Sequence, residues 1–348
     1  MGVLYSDASL WIFDMSVQGD GKRITWPSID EINNYRIMKG GSAILEDDNG
    51  ILALKTNKTL WKVRKKWEHE KPFFMKNGIA YEKLMEGVEE FWVNPINNSQ
   101  IYSLTENGEL YGAGANAYGQ LGVGFNTGTN KRAYQKLARV SESVVGVVTQ
   151  SDWSDLRMRT MAIKDDRSLW LWGWDIRFDS TSATNREAGE GFYFSNVPVR
   201  IMENVASAAI SEKHSLVLKL DGSLWTWGYN HYGQLGIGNY EDMREAVKVM
   251  DNVTAVAANG GIRFAVQADG SLWAWGLNES GELGTGDKEN RTEPTRIMEN
   301  VASITATPTC RAAVKQDGSV WIWGRIHCYN TKAEPILKPI CIIAPVSR

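Results

Sequence analysis

The chain has 348 residues, with 38 Lys and Arg against 41 Asp and Glu and a formal net charge of −3. This near balance argues against a surface that neutralises many phosphates, since nucleic-acid affinity depends on clustered cationic charge. Apolar residues make up 43% of the chain, which excludes a disordered or collagen-like polypeptide. The 15 Trp residues outnumber the 9 Phe and the 12 Tyr. Because a buried indole needs a partner for its N–H group, so many tryptophans indicate a repeated structural position.

No segment has the pattern of a membrane span or of a secretory signal. No apolar run approaches the ~18 residues of a transmembrane helix, and the first residues lack the charged and apolar regions of a signal peptide. We therefore expect no membrane association, with a cytoplasmic location by default and secretion if a leader was removed. The three cysteines, Cys310, Cys328 and Cys341, have no spacing typical of a disulfide framework. Whether Cys310 and Cys328 pair stays open.

The tryptophans belong to a pattern that recurs about every 50 residues. Near-perfect copies of Asp-Gly-Ser-Leu/Val-Trp-x-Trp-Gly occupy 221–228, 269–276 and 317–324. A second marker, Arg-Ile-Met-Glu-Asn-Val-Ala-Ser, occurs at 200–207 and 296–303. The Leu or Val position of the first pattern falls at Leu10, Leu60, Leu110, Leu169, Leu224, Leu272 and Val320. Seven repeats therefore account for the whole chain.

Each repeat has the pattern of four short strands. In the repeat around Leu224, strands are predicted over 205–210, 215–220 and 223–227, with a fourth within 246–250. Alternation in the third strand places Leu224 and Thr226 on one face and Trp225 and Trp227 on the other. The Asp-Gly pair before that strand is a hairpin signal. A fixed period of this length with four strands per unit predicts a β-propeller blade.

The predicted fold is all-β: a seven-bladed β-propeller of four-stranded blades, formed by one domain over residues 1–348. The chain begins with what would be the second and third strands of blade one, at 3–6 and 9–13. Its last apolar segment, 339–344, aligns with the first strand of the other repeats. We expect this C-terminal strand to complete the N-terminal blade, which closes the ring and removes the free sheet edges.

A glycine-rich string follows the Trp-Gly strand in three repeats, at 114–124, 228–238 and 276–286. Its pattern, G-x-N-x-x-G-Q-L-G-x-G, resembles the repeat of the regulator of chromosome condensation family, and the Trp-rich form looks more like the bacterial members. The resemblance implies a seven-bladed propeller. It also implies a choice of functions, since some eukaryotic members are exchange factors for a small GTPase and bind chromatin. Bacterial relatives include a secreted inhibitor of β-lactamases, and many others are uncharacterised interaction modules.

The residues predict no catalytic centre, no cofactor and no metal site. Neither G-x-S-x-G nor H-E-x-x-H occurs, and we expect the four histidines to fall in four different repeats: His69, His214, His231 and His327. Cys310, His327 and Cys328 lack metal-ligand spacing. The glycine-rich string recurs with the repeat, which favours a scaffold over a phosphate cradle. The basic run 62–71 is interleaved with Glu68 and Glu70, which favours a solvated loop over a nucleic-acid or membrane surface. We predict that the chain is not an enzyme.

The loops after the first and third strands are expected to share one face, and they vary most among the repeats. Segments 14–35, 64–81 and 174–196 replace the glycine-rich string, and the inner loop 150–157 is long. Inner-loop residues such as Glu46, Asp47, Glu212 and Arg263 are expected to give the channel mouth a mixed, rather acidic character. Aromatic residues in such loops are typical interface anchors, although they would equally pack an insertion onto a blade edge.

We therefore predict that a protein partner, of unknown identity, binds this face of a monomeric propeller. The residues predicted to bind it are Trp153, Asp152, Asp155, Arg157, Trp174, Phe178, Trp26, Trp67 and Trp92. No nucleic acid or membrane partner is expected. Two alternatives stay open: a regulator of a small GTPase of the nucleotide-exchange type, and a carbohydrate-binding or carbohydrate-cleaving propeller.

Overall fold

The structure is a computed structural model that carries no ligand. It describes residues 2–4, 9–12, 36–39, 41–47, 50–55, 57–65, 75–76, 79–93, 100–114, 116–117, 119–127, 134–149, 159–175, 185–186, 193–211, 214–306, 311–324 and 334–344. All regular structure in these ranges is β-strand. No helix long and apolar enough to cross a membrane is found among them. The contacts divide into two compact units: Met1–Asn116 with Asn130–Val144, and Ala117–Thr129 with Val145–Arg348.

Three antiparallel sheets belong to unit one. Sheet one contains β1 (Gly2–Leu4), β2 (Ser9–Ile12) and β3 (Arg36–Lys39), in that order. Sheet two has the order β4-β5-β6-β8-β7 and contains β4 (Gly41–Asp47), β5 (Gly50–Lys55), β6 (Leu60–Lys65), β7 (Met75–Lys76) and β8 (Ile79–Met85). Sheet three has sequential order and contains β9 (Val88–Val93), β10 (Gln100–Thr105), β11 (Leu110–Gly114) and β12 (Tyr134–Ser141).

Four further antiparallel sheets fall in unit two, apart from Val144, which begins sheet four. Sheet four has the order β13-β14-β15-β17-β16 and contains β13 (Val144–Thr149), β14 (Arg159–Lys164), β15 (Leu169–Trp174), β16 (Asn185–Arg186) and β17 (Tyr193–Met202). Sheet five contains β18 (Val205–Ser211), β19 (His214–Lys219), β20 (Leu224–Gly228) and β21 (Met243–Met250). Sheet six contains β22 (Val253–Asn259), β23 (Ile262–Gln267), β24 (Leu272–Gly276) and β25 (Arg291–Met298). Sheet seven contains β26 (Val301–Ala306), β27 (Arg311–Lys315), β28 (Val320–Gly324) and β29 (Ile336–Ile343).

The sequence repeat sets the phase of these sheets. From Leu60 to Val320, each predicted Leu or Val position lies in the third strand of its sheet, whereas Leu10 lies in the second of the three described strands of sheet one. The four strands predicted around Leu224 are confirmed as β18 to β21. The short links between sheets owe their form to Asn204, Asn252 and Asn300, which all have φ 59°. Asparagine tolerates this left-handed conformation better than most residues. The Met-Glu-Asn-Val marker is therefore the turn between one sheet's outer strand and the next sheet's first strand.

Neighbouring sheets within a unit stack through their two apolar faces. In sheet five, Trp227 and Val217 pack with Met161 and Leu171 of sheet four, whereas Leu224 packs on the other side with sheet six. The predicted alternation of the third strand is therefore confirmed. Sheets six and seven share a further core, and sheets two and three share another within unit one. Burial on both faces explains why second strands such as β19 and β23 are buried at every position except the last.

The glycine-rich strings pack against third-strand tryptophans of unit two, and the string of sheet five contacts sheet six in this way. Gly236 has φ 73°, and a Cβ atom there would lie 2.7 Å from Trp275 Nε1. Trp275 is fully buried and donates from Nε1 to the Gln234 carbonyl at 3.1 Å. The string is also fixed to the outer strand of the next sheet, since Gly238 N–H donates to the Thr292 carbonyl at 2.9 Å. Gly122 and Gly284 stand in the same way against Trp172 and Trp323. These strings therefore act as packing elements.

The predicted role of the last strand is wrong. β29 pairs with β28 as the outer strand of sheet seven, with Val320 opposite Ile343, just as Leu272 lies opposite Met298 in sheet six. Among the described residues, sheet one holds three strands and receives none from the C-terminal end. Pairing with the strand just before it closes a far shorter loop than pairing with the start of the chain, and the shorter loop costs less entropy.

Candidate functional site

The two ends of the unit-two sheets differ. The edge at which the second and third strands of each sheet are joined is called the turn end, and its hydrogen bonds are the same in all four sheets. In sheet five, Ser223 donates from N (2.9 Å) and from Oγ (2.6 Å) to Asp221 Oδ1, and Trp225 Nε1 donates to Ser223 Oγ at 2.8 Å. The same chain of hydrogen bonds recurs at Asp166–Trp170, Asp269–Trp273 and Asp317–Trp321.

In sheets four, five and seven, the half-buried indole at the turn end also has a lysine over its ring. Lys219 Nζ lies 5.1 Å from the ring centroid of Trp225, a distance typical of a cation–π contact. Equivalent lysines cover Trp170 and Trp321, at 4.5 Å and 4.7 Å. Hydrogen bonds from the serine side chain and then from its backbone N–H lower the pKa of the four turn aspartates, Asp166, Asp221, Asp269 and Asp317. The groups of this motif satisfy one another within their own sheet, which is the signature of a scaffold.

The opposite edge, the loop end, contains buried basic side chains. Here the third strands finish and the second strands begin, as the pairing of His214 with Gly228 shows. Arg159, His214, Arg263 and Arg311 occupy this edge in sheets four to seven and are at most 4% exposed. The buried Asp175 forms an ion pair with Arg159. We call these five residues the basic rim. Buried charges are costly unless they are paired, so such a rim is a specific arrangement.

His214 is the uncharged member of the basic rim. Burial, followed by the positive charges of Arg263 and Arg159, holds the pKa of its imidazole well below the usual value. Neither ring nitrogen has a hydrogen-bond partner within the described ranges. Four inner-loop residues are predicted to give the channel mouth a mixed, rather acidic character. Of these four, Arg263 is described and belongs to the basic rim. The side chains of Glu46, Asp47 and Glu212 lie outside the described residues.

Aromatic side chains lead from the interior to the surface at the same edge. The ring of the buried Trp174 lies 6.4 Å from that of Tyr229, and Tyr229 lies 5.6 Å from His231. His231 is exposed and Tyr232 is 39% exposed. We call Tyr229, His231 and Tyr232 the aromatic group.

The loop that carries the aromatic group is fixed from inside by Asn230. This residue is fully buried, donates from Nδ2 to the Asn239 carbonyl at 2.8 Å and accepts from Leu235 N–H at 2.9 Å. Gln234 Oε1 accepts from Tyr232 N–H at 2.8 Å. The aromatic group is therefore presented on an ordered backbone, which lowers the entropy cost of binding a partner.

Two of the nine residues predicted to bind a partner lie within the described side chains. Trp174 ends β15 and is 3% exposed, so its present place favours packing over surface contact. Trp92 is half-buried in β9, paired in register with Tyr102. The other seven, Trp153, Asp152, Asp155, Arg157, Phe178, Trp26 and Trp67, lie outside the described residues, and their binding role stays a prediction.

Apart from Arg263, sequence reasoning missed the basic rim, and it also missed the aromatic group. The prediction that the four histidines fall in four different repeats is wrong for His214 and His231, because both lie within 205–250, the repeat that forms sheet five. The usable signal is positional: Arg159 and His214 both lie opposite the glycine of the Trp-Gly pair. Within the described residues, no three His, Cys, Asp or Glu side chains are grouped to hold a metal ion, and Cys341 is exposed and free. Cys310 and Cys328 lie outside those residues.

Tandem antiparallel sheets of this kind, stacked face to face and joined by glycine-rich strings, define the β-propeller class. Part of the chain carries repeats of the regulator of chromosome condensation type: the family model described as "Regulator of chromosome condensation (RCC1) repeat" matches residues 221–264 and 269–307. A second model with the same description matches residues 205–234. The predicted resemblance to this family is thereby confirmed. The greater similarity of the Trp-rich repeats to the bacterial members stays a prediction.

Solved structures of the same repeat type are similar in fold. Human WBSCR16 gives a TM-score of 0.58 at 20% identity, covering 77% of this chain and 71% of that one. Prp20p from Saccharomyces cerevisiae, whose structure is described with its binding properties to Gsp1p and histones, gives 0.58 at 18% identity. That match covers 89% of this chain and 77% of Prp20p.

Curated relatives match over part of their length. The ultraviolet-B receptor UVR8 of Arabidopsis thaliana is 26% identical over 150 residues, which are 42% of this chain and 31% of UVR8. The human E3 ubiquitin-protein ligase HERC2 is 30% identical over 169 residues, 47% of this chain and 3% of HERC2. The Xenopus laevis protein RCC2 homolog is 29% identical over 130 residues, 33% of this chain and 24% of its own length. The chain thus spans about a third or less of these relatives.

Proposed function

We propose that this protein is a non-enzymatic interaction module, a seven-bladed propeller that binds a protein partner through the loop end. The observation that carries the proposal is the aromatic group, in which exposed His231 and Tyr232 stand on a loop fixed by the buried Asn230. Exposed aromatic side chains on an ordered backbone are typical of interface anchors. The uniform turn end offers no comparable variety.

The relatives support a binding role. Prp20p is described with binding to Gsp1p and histones, and a yeast RCC1 (Prp20) structure is described as bound to Kap60. These partners are all proteins. A propeller suits this role because its sheets hold variable loops in fixed relative positions. We extend the proposed partner-binding surface to the loops that carry Trp153, Asp152, Asp155, Arg157 and Phe178, which belong to the sheet-four repeat.

The experiment is partner capture with surface variants, followed by measurement of the affinity for the captured protein. The double variant His231→Ser and Tyr232→Ser removes two exposed rings and should weaken binding at least about tenfold, the usual effect of losing anchor residues. Leu220→Ser is the matched control, because Leu220 is 58% exposed at the turn end of the same sheet. Unchanged affinity in the double variant, or an equal loss in the control, would refute the assignment of this face.

Regulation of a small GTPase is the second candidate, favoured by the similarity in fold to Prp20p. It predicts that the wild-type chain accelerates release of labelled GDP from one member of a GTPase panel, and that the same double variant abolishes the acceleration. A carbohydrate-cleaving propeller would instead release reducing sugar from polysaccharides. Activity in either assay would overturn the proposal that the protein is a simple interaction module.

A further inference from the structure

A groove of about 590 Å³ lies between the outer strand of sheet six and sheet seven. Residues of β25, of the turn at 299–300 and of sheet seven line it, and the half-buried ring of Trp321 forms part of its wall. This volume lies within the range of sites that hold small ligands or short peptide segments. Its residues include none of the basic rim or the aromatic group, so it is independent of the proposed partner-binding face.

The groove is basic although the chain as a whole has a net charge of −3. Four basic residues line it, namely Arg291, Arg296, Lys315 and Lys338, against one acidic residue, Glu299. Arg291 pairs with Asp287 at 2.5 Å and Arg296 with Glu299 at 3.2 Å. Lys315 lies over Trp321. Lys338 forms no ion pair with any residue in the described ranges, and its aliphatic stem packs on Gly286.

Comparison with equivalent positions shows that Lys338 is particular to sheet seven among sheets five to seven. Lys338 stands two residues after the partner of the Trp-Gly glycine, where sheets five and six have Glu245 and Glu293. The position of Lys315 is a lysine, Lys219, in sheet five and Gln267 in sheet six. The scaffold therefore tolerates an acidic residue at the position of Lys338, so structural need alone does not account for that lysine.

Apolar surface continues from the groove along β29. Ile340 and Ile342 are 45% and 51% exposed. Ile340 comes directly after Pro339, which is one of the residues that line the groove. The outer strands of other sheets carry charged residues at exposed positions, such as Arg244 and Glu293, which is the usual protection of an edge strand. An exposed apolar edge beside a basic groove fits a ligand that has both carboxylates and an apolar side chain.

We propose that this groove binds an acidic peptide segment of a partner protein. Its carboxylates pair with Lys338 and Lys315, and an apolar side chain of the segment lies against Trp321 and the exposed isoleucines. Charge complementarity identifies the ligand chemistry, and charge-assisted hydrogen bonds to the two ammonium groups supply the specific contacts. The site is separate from the loop end, so either can exist without the other.

Fluorescence anisotropy with a labelled peptide of three Glu, one Leu and three Glu tests the proposal. The wild-type chain should bind it saturably, with an affinity that falls as salt is added. Lys338→Glu, which installs the residue of sheets five and six, should lower the affinity at least about tenfold, and Lys315→Gln about threefold. Lys338→Glu should keep the wild-type melting temperature.

Lys136→Glu provides the matched control, since it makes the same charge change at an exposed position of sheet three. Its affinity for the peptide should equal that of the wild type. The proposal is overturned if the wild type does not bind the peptide, or if Lys136→Glu weakens binding as much as Lys338→Glu. It is also overturned if the peptide with Gln in place of Glu binds equally well, or if a seven-nucleotide oligothymidine binds more tightly at the same lysines.

Discussion

The turn end and the loop end of the unit-two sheets are stabilised by opposite means. At the turn end, Asp221, Ser223 and Trp225 satisfy one another within a single sheet, and the indole stays half-exposed. At the loop end, Gly236 of one repeat packs against the fully buried Trp275 of the next. The same sequence motif therefore carries two tryptophans with different tasks. The first secures its own hairpin, and the second secures the contact between sheets.

The largest expected effect tests this division directly. Trp275→Ala should lower the free energy of unfolding by about 3–5 kcal/mol, because it opens a cavity between sheets five and six. Trp273→Ala, two residues earlier and half-buried, should cost clearly less. Denaturant midpoints of the two variants provide the measurement. Equal losses would mean that both tryptophans act alike.

Substitutions of glycine sharpen the contrast. Gly236→Ala would hold alanine in a left-handed conformation, which costs about 1–2 kcal/mol, and would force Trp275 to move, which costs about 1–3 kcal/mol more. Gly318, at the turn end, has φ 82°, but no atom lies within 4 Å of the point that a Cβ atom would occupy there. Gly318→Ala should therefore show the first cost alone. If the melting temperatures of the two variants agree, the close approach to Trp275 has no energetic weight.

Acid should destabilise the loop end through His214. Its pKa is lowered in the folded protein, so below pH 6.5 the unfolded chain binds a proton that the folded one does not. The free energy of unfolding should then fall by at most about 1.4 kcal/mol per pH unit. His214→Gln should remove this dependence between pH 7.5 and 5.5, as seen in melting temperatures. A variant with the wild-type slope would show that His214 is protonated in the folded state.

The smallest effect belongs to the exposed turn aspartates. The pKa of Asp221 is lowered on folding, so its stabilising effect is present above its unfolded pKa and is lost as the pH falls through the folded value. Asp221→Asn keeps an acceptor for Ser223 but does not titrate. Between pH 5 and pH 2.5, its melting temperature should fall less than that of the wild type. An identical fall would assign the acid sensitivity to other carboxylates.

The sequence predicted the sheets well because the repeat marks local interactions. The Leu224 position, the Asp-Gly hairpin and the Met-Glu-Asn-Val turn each act within a few residues, so their phase could be followed along the chain. The partner of β29 could not be predicted in this way, since an apolar run such as 339–344 suits an inner or an outer strand. Only the register of Val320 with Ile343 decides between them.

The candidate site was less predictable for a related reason. Sequence reasoning counts Trp174 among the interface anchors, but its ring is 3% exposed and lies 6.4 Å from that of Tyr229 in the following sheet. The basic rim gathers five residues from four repeats, and none of them has a local motif. Lys338 stands out only when strand pairing aligns it with Glu245 and Glu293. Residues that are far apart in sequence and brought together by packing leave no short pattern to read.

The glycine-rich strings also determine where this chain can be cut. A fragment that begins at residue 243 would keep all four strands of sheet six, yet it would leave Gly236 and Gln234 behind and uncover one side of Trp275. A fragment that begins at residue 229 would retain that cover. The unit that can be transplanted or removed is therefore offset from the sheet: it starts in the loop of one repeat and ends in the outer strand of the next.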